Sequence, residues 1–274
     1  MQQEAETLRS AGKKIGLVPT MGYLHAGHMR LVEQAKRMSD QVVVSIFVNP
    51  AQFAPNEDFS RYPRDFERDK SLLSKAQVDV VFNPGMPDMY VSNFGTYIEE
   101  LEASRVLEGK FRPTHFRGVT TVVAKLLNIC KPHIAIFGQK DAQQVFIVRK
   151  MIRDLNFDTT VIVVPIVREE DGLAMSSRNV YLSPQERTNA IVLHQSLEFA
   201  EAQIRNGERD VRTLQSAMEQ LIRSKGSPAI DYVAFIDPQS FHEIEKISSA
   251  SVLIALAVRF GTTRLIDNAL VSVG

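Results

Sequence analysis

The sequence predicts an α/β fold in which helices flank a parallel sheet, followed by a smaller α+β domain. Three observations lead there. Short β-branched runs alternate with longer segments of helical period through the first part of the chain, the pattern of βαβ units. After about Val167 that alternation stops, and two helical segments are followed by three strand-like runs with no helix between them. The 274 residues are 44% hydrophobic and 23% charged, which suits an ordinary folded chain with room for one large domain or two smaller ones.

In order, residues 14–19 read as the first strand, 28–38 as a helix, 42–48 as a strand, 66–76 as a helix and 78–82 as a strand. The alternation resumes with a helix over 120–130, a strand over 134–137, a helix over 142–155 and a strand over 161–167. Cys130 falls in a run with helical apolar spacing and is expected to be a packed core thiol. Two stretches, 49–63 and 105–118, are too polar for core and longer than ordinary connections, which suggests lids or binding loops. Further on, Ser183-Pro184-Gln185-Glu186 has the make-up of a capping box. It opens a helix expected to run to Arg205, where Asn206-Gly207 ends it. A second helix to Ser224 and strands over 232–236, 251–259 and 263–267 complete the chain. The expected domains are therefore 1–167 and 168–274.

Charge and cysteine content exclude several classes. Lys plus Arg number 32 and Asp plus Glu number 32, so there is no global field to hold a nucleic acid. A single cysteine cannot form an intramolecular disulfide, and the first residues do not resemble a secretory leader, so a cytoplasmic location is expected. No apolar run reaches the roughly 18 to 20 residues that span a bilayer.

The most informative stretch runs from Gly16 to His28: a strand, a Gly-containing turn with His25 and His28 on either side of Ala26-Gly27, then a helix. If His28 opens that helix, the unpaired N–H groups of its first turn form an anion-binding end, Gly27 lets a phosphate approach, and the imidazoles bracket it. Two structural histidines or a metal pair fit the same spacing. Farther on, Met175-Ser176-Ser177-Arg178 offers a guanidinium and two hydroxyls suited to phosphate oxygens.

H-x-G-H directly after a first parallel strand, with a Met-Ser-Ser-Arg loop past the later strands, resembles the HIGH nucleotidyltransferase superfamily. Within it the chain closely resembles the pantothenate synthetase (pantoate:β-alanine ligase) family. The likeness is carried by Pro19-Thr20-Met21-Gly22, Leu24-His25, Gly27-His28, the run from Val44 to Pro50 with Gln52-Phe53, and Tyr62-Pro63-Arg64. It continues through Glu108-Gly109, Arg112-Pro113, His115-Phe116, Gly118-Val119, Phe137 to Asp141, Gln143-Gln144 and Asp171 to Asn179, and reaches Arg264 to Asn268. Ala51 and Gln139 depart from it, standing where many members carry Met and Glu, and the segment before Gly16 is shorter than usual, which leaves open whether an initial edge strand is present.

The resemblance implies a Rossmann-like catalytic domain and an ATP-dependent ligation of pantoate to β-alanine through pantoyl adenylate, in pantothenate and coenzyme A biosynthesis. It implies His25, His28, Lys140 and Arg178 as the catalytic groups. The ATP site would comprise Met21, Gly22, Tyr23, Leu24, Ala26, Gly27 and the histidines, then Gly138, Gln139, Lys140 and Asp141, with Val167 against adenine. Met175, Ser176, Ser177 and Arg178 would form a mobile phosphate loop, and Gln52 and Gln144 would hold pantoate. Asn49, Tyr62 and Asp69 would support a Mg²⁺ ion and the lid region. A homodimer taking only small-molecule substrates is expected, with no nucleic-acid or membrane partner. The alternatives are another adenylyl- or cytidylyltransferase of the superfamily, a tRNA-synthetase-like protein or a noncatalytic nucleotide sensor. AMP release that requires β-alanine separates the ligase from a nucleotidyltransferase.

Overall fold

A computed structural model of the chain describes residues 1–55 and 57–273; Asn56, within the 49–63 loop, and Gly274 lie outside the described residues. The chain divides into two compact units, one comprising 1–139 and 143–165 and the other 140–142 and 166–274.

The first unit is a five-stranded parallel sheet ordered β3-β2-β1-β4-β5, built from β1 (Ile15–Thr20), β2 (Gln41–Ile46), β3 (Val80–Phe82), β4 (Ile134–Gly138) and β5 (Thr160–Val164). Its three inner strands, β2, β1 and β4, read as continuous apolar runs because both of their faces are covered. Leu17, Val43, Ala135 and Phe137 pack on one side with residues of α1 (Gln2–Ser10), α6 (His115–Cys130) and α7 (Ala142–Asp154). Their neighbours Val18, Val42, Val44, Ile134 and Ile136 face the other way, onto Leu31, Val32 and Ala35 of α2 (Ala26–Met38) and Leu73 of α3 (Phe66–Lys75). Cys130 lies in the first of these layers with no exposed surface, and burial pushes its thiol pKa up to about 12. Short helices α4 (Met86–Met89) and α5 (Glu108–Phe111) lie between β3 and α6.

In the second unit, α8 (Pro184–Ala190), α9 (Val192–Arg205) and α10 (Val211–Arg223) precede an antiparallel sheet of β6 (Ala229–Ile236), β7 (Ser251–Phe260) and β8 (Thr263–Ser272). Leu193, Leu197, Leu214, Met218 and Ile222 share one core with Phe235, Ile254, Leu256 and Val258. The expected capping box is present: Ser183 Oγ accepts the Glu186 amide at 3.3 Å and Glu186 Oε2 accepts the Ser183 amide at 2.8 Å.

Among the described residues no strand precedes β1; the N-terminal segment forms α1. Several expectations change. The helix foreseen from Ser183 to Arg205 is two, because Ile191 keeps helical angles (φ −58°, ψ −27°) but interrupts the hydrogen-bond ladder. The 105–118 stretch, read as too polar for core, is largely packed into the first unit. It contains α5 and the start of α6, and Glu108, Gly109, His115, Phe116 and Gly118 are buried. Two features make that burial tolerable. Gln143 satisfies backbone groups, its Oε1 accepting the Glu108 amide at 3.1 Å and its Nε2 donating to the Ala103 and Val106 carbonyls at 2.7 and 2.8 Å. Gly118 lets α6 lie directly on the 3-10 turn Pro50–Gln52, since an added Cβ would sit 2.3 Å from the Ala51 carbonyl oxygen. The last strand of the sheet stops at Val164, leaving Val167 in the connection beyond it. Among the described residues no helix is long and apolar enough to cross a membrane.

Candidate functional site

Strand order reverses between β1 and β4, and the crevice outside the carboxyl ends of such strands is where open α/β sheets bind ligands. At the end of β1, Thr20 Oγ1 donates to the Ser45 carbonyl at 2.7 Å and accepts the Gly22 amide at 3.2 Å. The chain then turns through positive φ at Gly22 (+84°) and Tyr23 (+51°). Asp69 of α3, almost fully buried, holds this turn, its two carboxylate oxygens accepting the Tyr23 and Leu24 amides at 2.7 Å each.

The helix begins two residues earlier than expected. His25 is the N-cap of α2 and His28 is its third residue, so His28 does not open the helix. His25 Nδ1 accepts the Gly27 amide at 3.2 Å, and His28 Nδ1 accepts the His25 amide at 3.3 Å. This is a capping box made of imidazoles, with ring centroids 4.0 Å apart. With both Nδ1 atoms accepting, each neutral ring carries its proton on Nε2. The geometry thus assigns the tautomer and makes each Nε2–H a donor.

Gln52, in the Pro50–Gln52 turn, has a buried amide whose Oε1 accepts from Asn49 Nδ2 at 3.1 Å and whose Nε2 lies 3.2 Å from Met21 Sδ. Its carbonyl accepts from His115 Nδ1 at 2.9 Å and Arg112 Nη2 at 3.3 Å, and Arg112 grips Glu57 with Nε and Nη2 at 2.9 and 2.6 Å. The structure therefore brings Met21 and Gln52 together. Gln144, in the first turn of α7, is half-buried. Asn49 is committed to structure: it bonds Gln52, the Gly118 carbonyl at 3.1 Å and the Ala51 amide at 3.3 Å, and accepts the Tyr90 hydroxyl at 2.7 Å. Tyr62 is buried edge-on to Phe53. With Asn49 and Asp69 so engaged, neither fits a direct role at a metal. Among the described residues no group of three or more His, Cys, Asp or Glu is placed to hold one.

Gly138 ends β4 and Gln139 follows it in the first unit. Lys140 and Asp141, although they lie in sequence between β4 and α7, pack with the second unit, and their side chains approach to 3.7 Å. Asn268 Nδ2 donates to the Lys140 carbonyl at 2.9 Å. In the same unit the Met175 amide donates to the Val167 carbonyl at 3.0 Å, bringing those two predicted residues together. Ser176 caps the 3-10 turn Ser177–Tyr181, its Oγ accepting the Arg178 amide at 3.2 Å. Asn179 Nδ2 donates to Glu169 at 2.8 Å and to the Ala174 carbonyl at 3.2 Å, while Arg187 bridges Glu169 and Asp171 at 2.7 and 2.8 Å. The Arg187 guanidinium holds the Asp171 carboxyl below its ordinary range.

Sequence reasoning missed what supports these groups. It singled out Asp69 for magnesium, and it gave no role to Gln143, Arg168, Asp267 or Asn268. The Arg264 to Asn268 run was the available signal.

The comparisons with known proteins agree along the whole chain. A family model described as pantoate-beta-alanine ligase matches residues 1–270. The pantothenate synthetase of Syntrophomonas wolfei is 55% identical over 274 residues, covering 100% of this chain and 97% of that protein. That of Thermotoga petrophila is 54% identical over 268 residues, covering 98% and 95%. Among solved structures, pantothenate synthetase from Thermus thermophilus superposes with a TM-score of 0.91 at 46% identity, covering 97% and 96% of the two chains. The Francisella tularensis pantoate-beta-alanine ligase, complexed with beta-gamma ATP and beta-alanine, gives 0.79 at 37% identity, covering 98% and 95%.

Proposed function

The chain belongs to the pantoate-beta-alanine ligase family, and from that premise we propose how its own residues carry out the ATP-dependent joining of (R)-pantoate to β-alanine. A pantoate carboxylate oxygen attacks the α-phosphorus, the bond from that phosphorus to the bridging oxygen breaks, and pyrophosphate leaves. The β-alanine amine then attacks the acyl carbon of pantoyl adenylate. The acyl C–O bond breaks, AMP departs and the new amide nitrogen gives up its proton.

The observation that carries the assignment of roles is the imidazole capping box. Its acceptors are fixed inward at Nδ1, so His25 and His28 act as Nε2–H donors to α-phosphate oxygens as charge builds on them. The segment Met21 to His28 lines the ATP site with Gly138 and Gln139. Lys140 and Arg178 supply positive charge to the departing pyrophosphate, Asp141 accepts from the ribose, Val167 lies against adenine, and Met175 to Ser177 accompany Arg178 as a closing loop. Gln52 and Gln144 hold pantoate through amide hydrogen bonds, which avoid the cost of desolvating an ionised side chain.

Mg²⁺ would be carried in with ATP on its phosphate oxygens, the hard ligands such an ion prefers, and would neutralise part of their charge. A homodimer and a cytoplasmic location belong to the same proposal; exposed Val91, Tyr97 and Leu101 in the first unit offer apolar surface for association. Incubating purified protein with ATP, Mg²⁺, pantoate and β-alanine tests the reaction. Pantothenate and AMP should form together, and AMP should need β-alanine. A nucleotide-linked end product instead would assign the chain to nucleotidyl transfer.

A further inference from the structure

We propose that Asp267 and Asn268, adjacent on β8, are positioning residues for the two segments that carry Lys140 and Arg178. The inference rests on the reading that those cations meet the triphosphate.

Strand alternation places successive side chains on opposite faces, so a strand covered on one side buries every second residue. β8 begins that way, with Thr263 and Leu265 buried and Arg264 and Ile266 less so. Then Asp267 and Asn268 are both buried, at 2% and 3% exposure, although both are polar. Polar groups buried on both faces of a strand need partners on both faces.

The partners are informative. Asn268 donates to the Lys140 carbonyl at 2.9 Å, and so fixes the backbone from which that lysine extends. Asp267 takes the Arg168 guanidinium in a two-pronged pair at 2.7 and 3.0 Å. Arg168 also donates to the Gly172 carbonyl at 3.0 Å and bridges in antiparallel fashion to Ala174, closing the short hairpin that runs straight into Met175 to Arg178. The Asn268 amide donates to Asp267 Oδ1 at 2.8 Å, which ties the two anchors together. One dipeptide thus sets the base of both cation-bearing segments. Arg178 retains its charge when Asp267 changes, and Lys140 retains its own when Asn268 changes.

The test is a pair of double-mutant cycles on the full-length protein with ATP, Mg²⁺ and pantoate, reading single-turnover pyrophosphate release, alongside the second step started from supplied pantoyl adenylate. Asn268→Ala should slow pyrophosphate release by about tenfold to a hundredfold, the scale of an ångström of misplacement. The second step should be nearly unaffected. In the Lys140→Ala background the same change should cost less than about twofold, because a positioning residue has nothing left to position. Asp267→Asn should behave the same way against Arg178→Ala. Thermal unfolding checks that each variant folds, and Asn268→Ser replaces Asn268→Ala if the latter does not. Additive losses in both cycles, or equal slowing of both steps, would overturn the inference. If Lys140→Ala and Arg178→Ala themselves leave pyrophosphate release intact, the reading of the cations fails instead.

Discussion

The backbone amide of His25 donates to Nδ1 of His28 at 3.3 Å, so a ring proposed to act on phosphate also caps its own helix. Structure and chemistry can be separated there. Asn is a favoured N-cap and Gln a favoured third residue of a capping box. His25→Asn and His28→Gln should therefore keep the thermal midpoint close to that of the parent while adenylation falls on the order of 10² to 10³ in rate. Stopped-flow pyrophosphate release with a parallel melting curve checks it; near-parental turnover in both variants would remove the histidines from the chemistry.

Asp69 accepts two buried amides, from Tyr23 and Leu24. Asp69→Asn keeps the shape but turns an NH₂ group toward one of those donors. It should cost about 1–3 kcal/mol, the penalty for an unsatisfied buried group. Urea unfolding reads this directly, and an unchanged midpoint would mean that the turn holds without the carboxylate.

Gln144→Ala and Gln52→Ala should raise the KM for pantoate and leave that for ATP little changed. Arg112→Lys should shift pantoate use in the same direction. Lysine keeps the charge but loses the planar fork that spans Glu57 and the Gln52 carbonyl. Steady-state titration of each substrate decides; a collapse confined to ATP would mean that the pocket holds the other substrate.

His133 Nδ1 accepts the Ile15 amide at 3.0 Å at the start of β1. Burial, helped by nearby Arg9, lowers its pKa from the ordinary 6.5. A histidine with a depressed folded value is protonated more readily when unfolded, so its stabilising contribution is complete above 6.5 and declines as pH falls through the folded value. Stability should drop on acidification from 6.5 down to the folded value and level off below it. His133→Asn, which keeps an acceptor but does not titrate, should flatten this part of the profile in denaturant melts; an unchanged slope would place the acid sensitivity elsewhere.

Arg178→Lys should retain charge yet lose rate, and Arg178→Ala should lose more, because the planar fork fixes two phosphate oxygens and an ammonium acts as a point charge. Started from supplied pantoyl adenylate, both variants should recover most of their rate. Equal impairment there would mean that Arg178 does not act through pyrophosphate departure.

The sheet was legible in the sequence because its inner strands are buried on both faces and its strands show continuous β-branched runs. The histidine motif was legible because it follows the first of them. What escaped has physical reasons. α1 buries Ala5 alone, so its apolar period is too weak to register. Histidine is not a customary N-cap, so the start of α2 was set at His28. Asp69 meets Leu24 across 45 residues and Asn268 meets Lys140 across 128, and pairings of that span leave no local pattern to read. Val167 and Met175 were both singled out, but the hydrogen bond that joins them comes from a hairpin whose closure depends on Arg168 and Asp267.

Cys130 has no exposed surface and a thiol pushed up to about 12 by burial. The thiolate is the reactive form, so the folded chain is nearly inert to sulfhydryl reagents. With one sulfur of this kind in the protein, alkylation becomes a counter of opening events: each modified molecule records one excursion in which α6 parted from the sheet. Its rate under native conditions would report how often the catalytic scaffold breathes, without any probe having to be introduced.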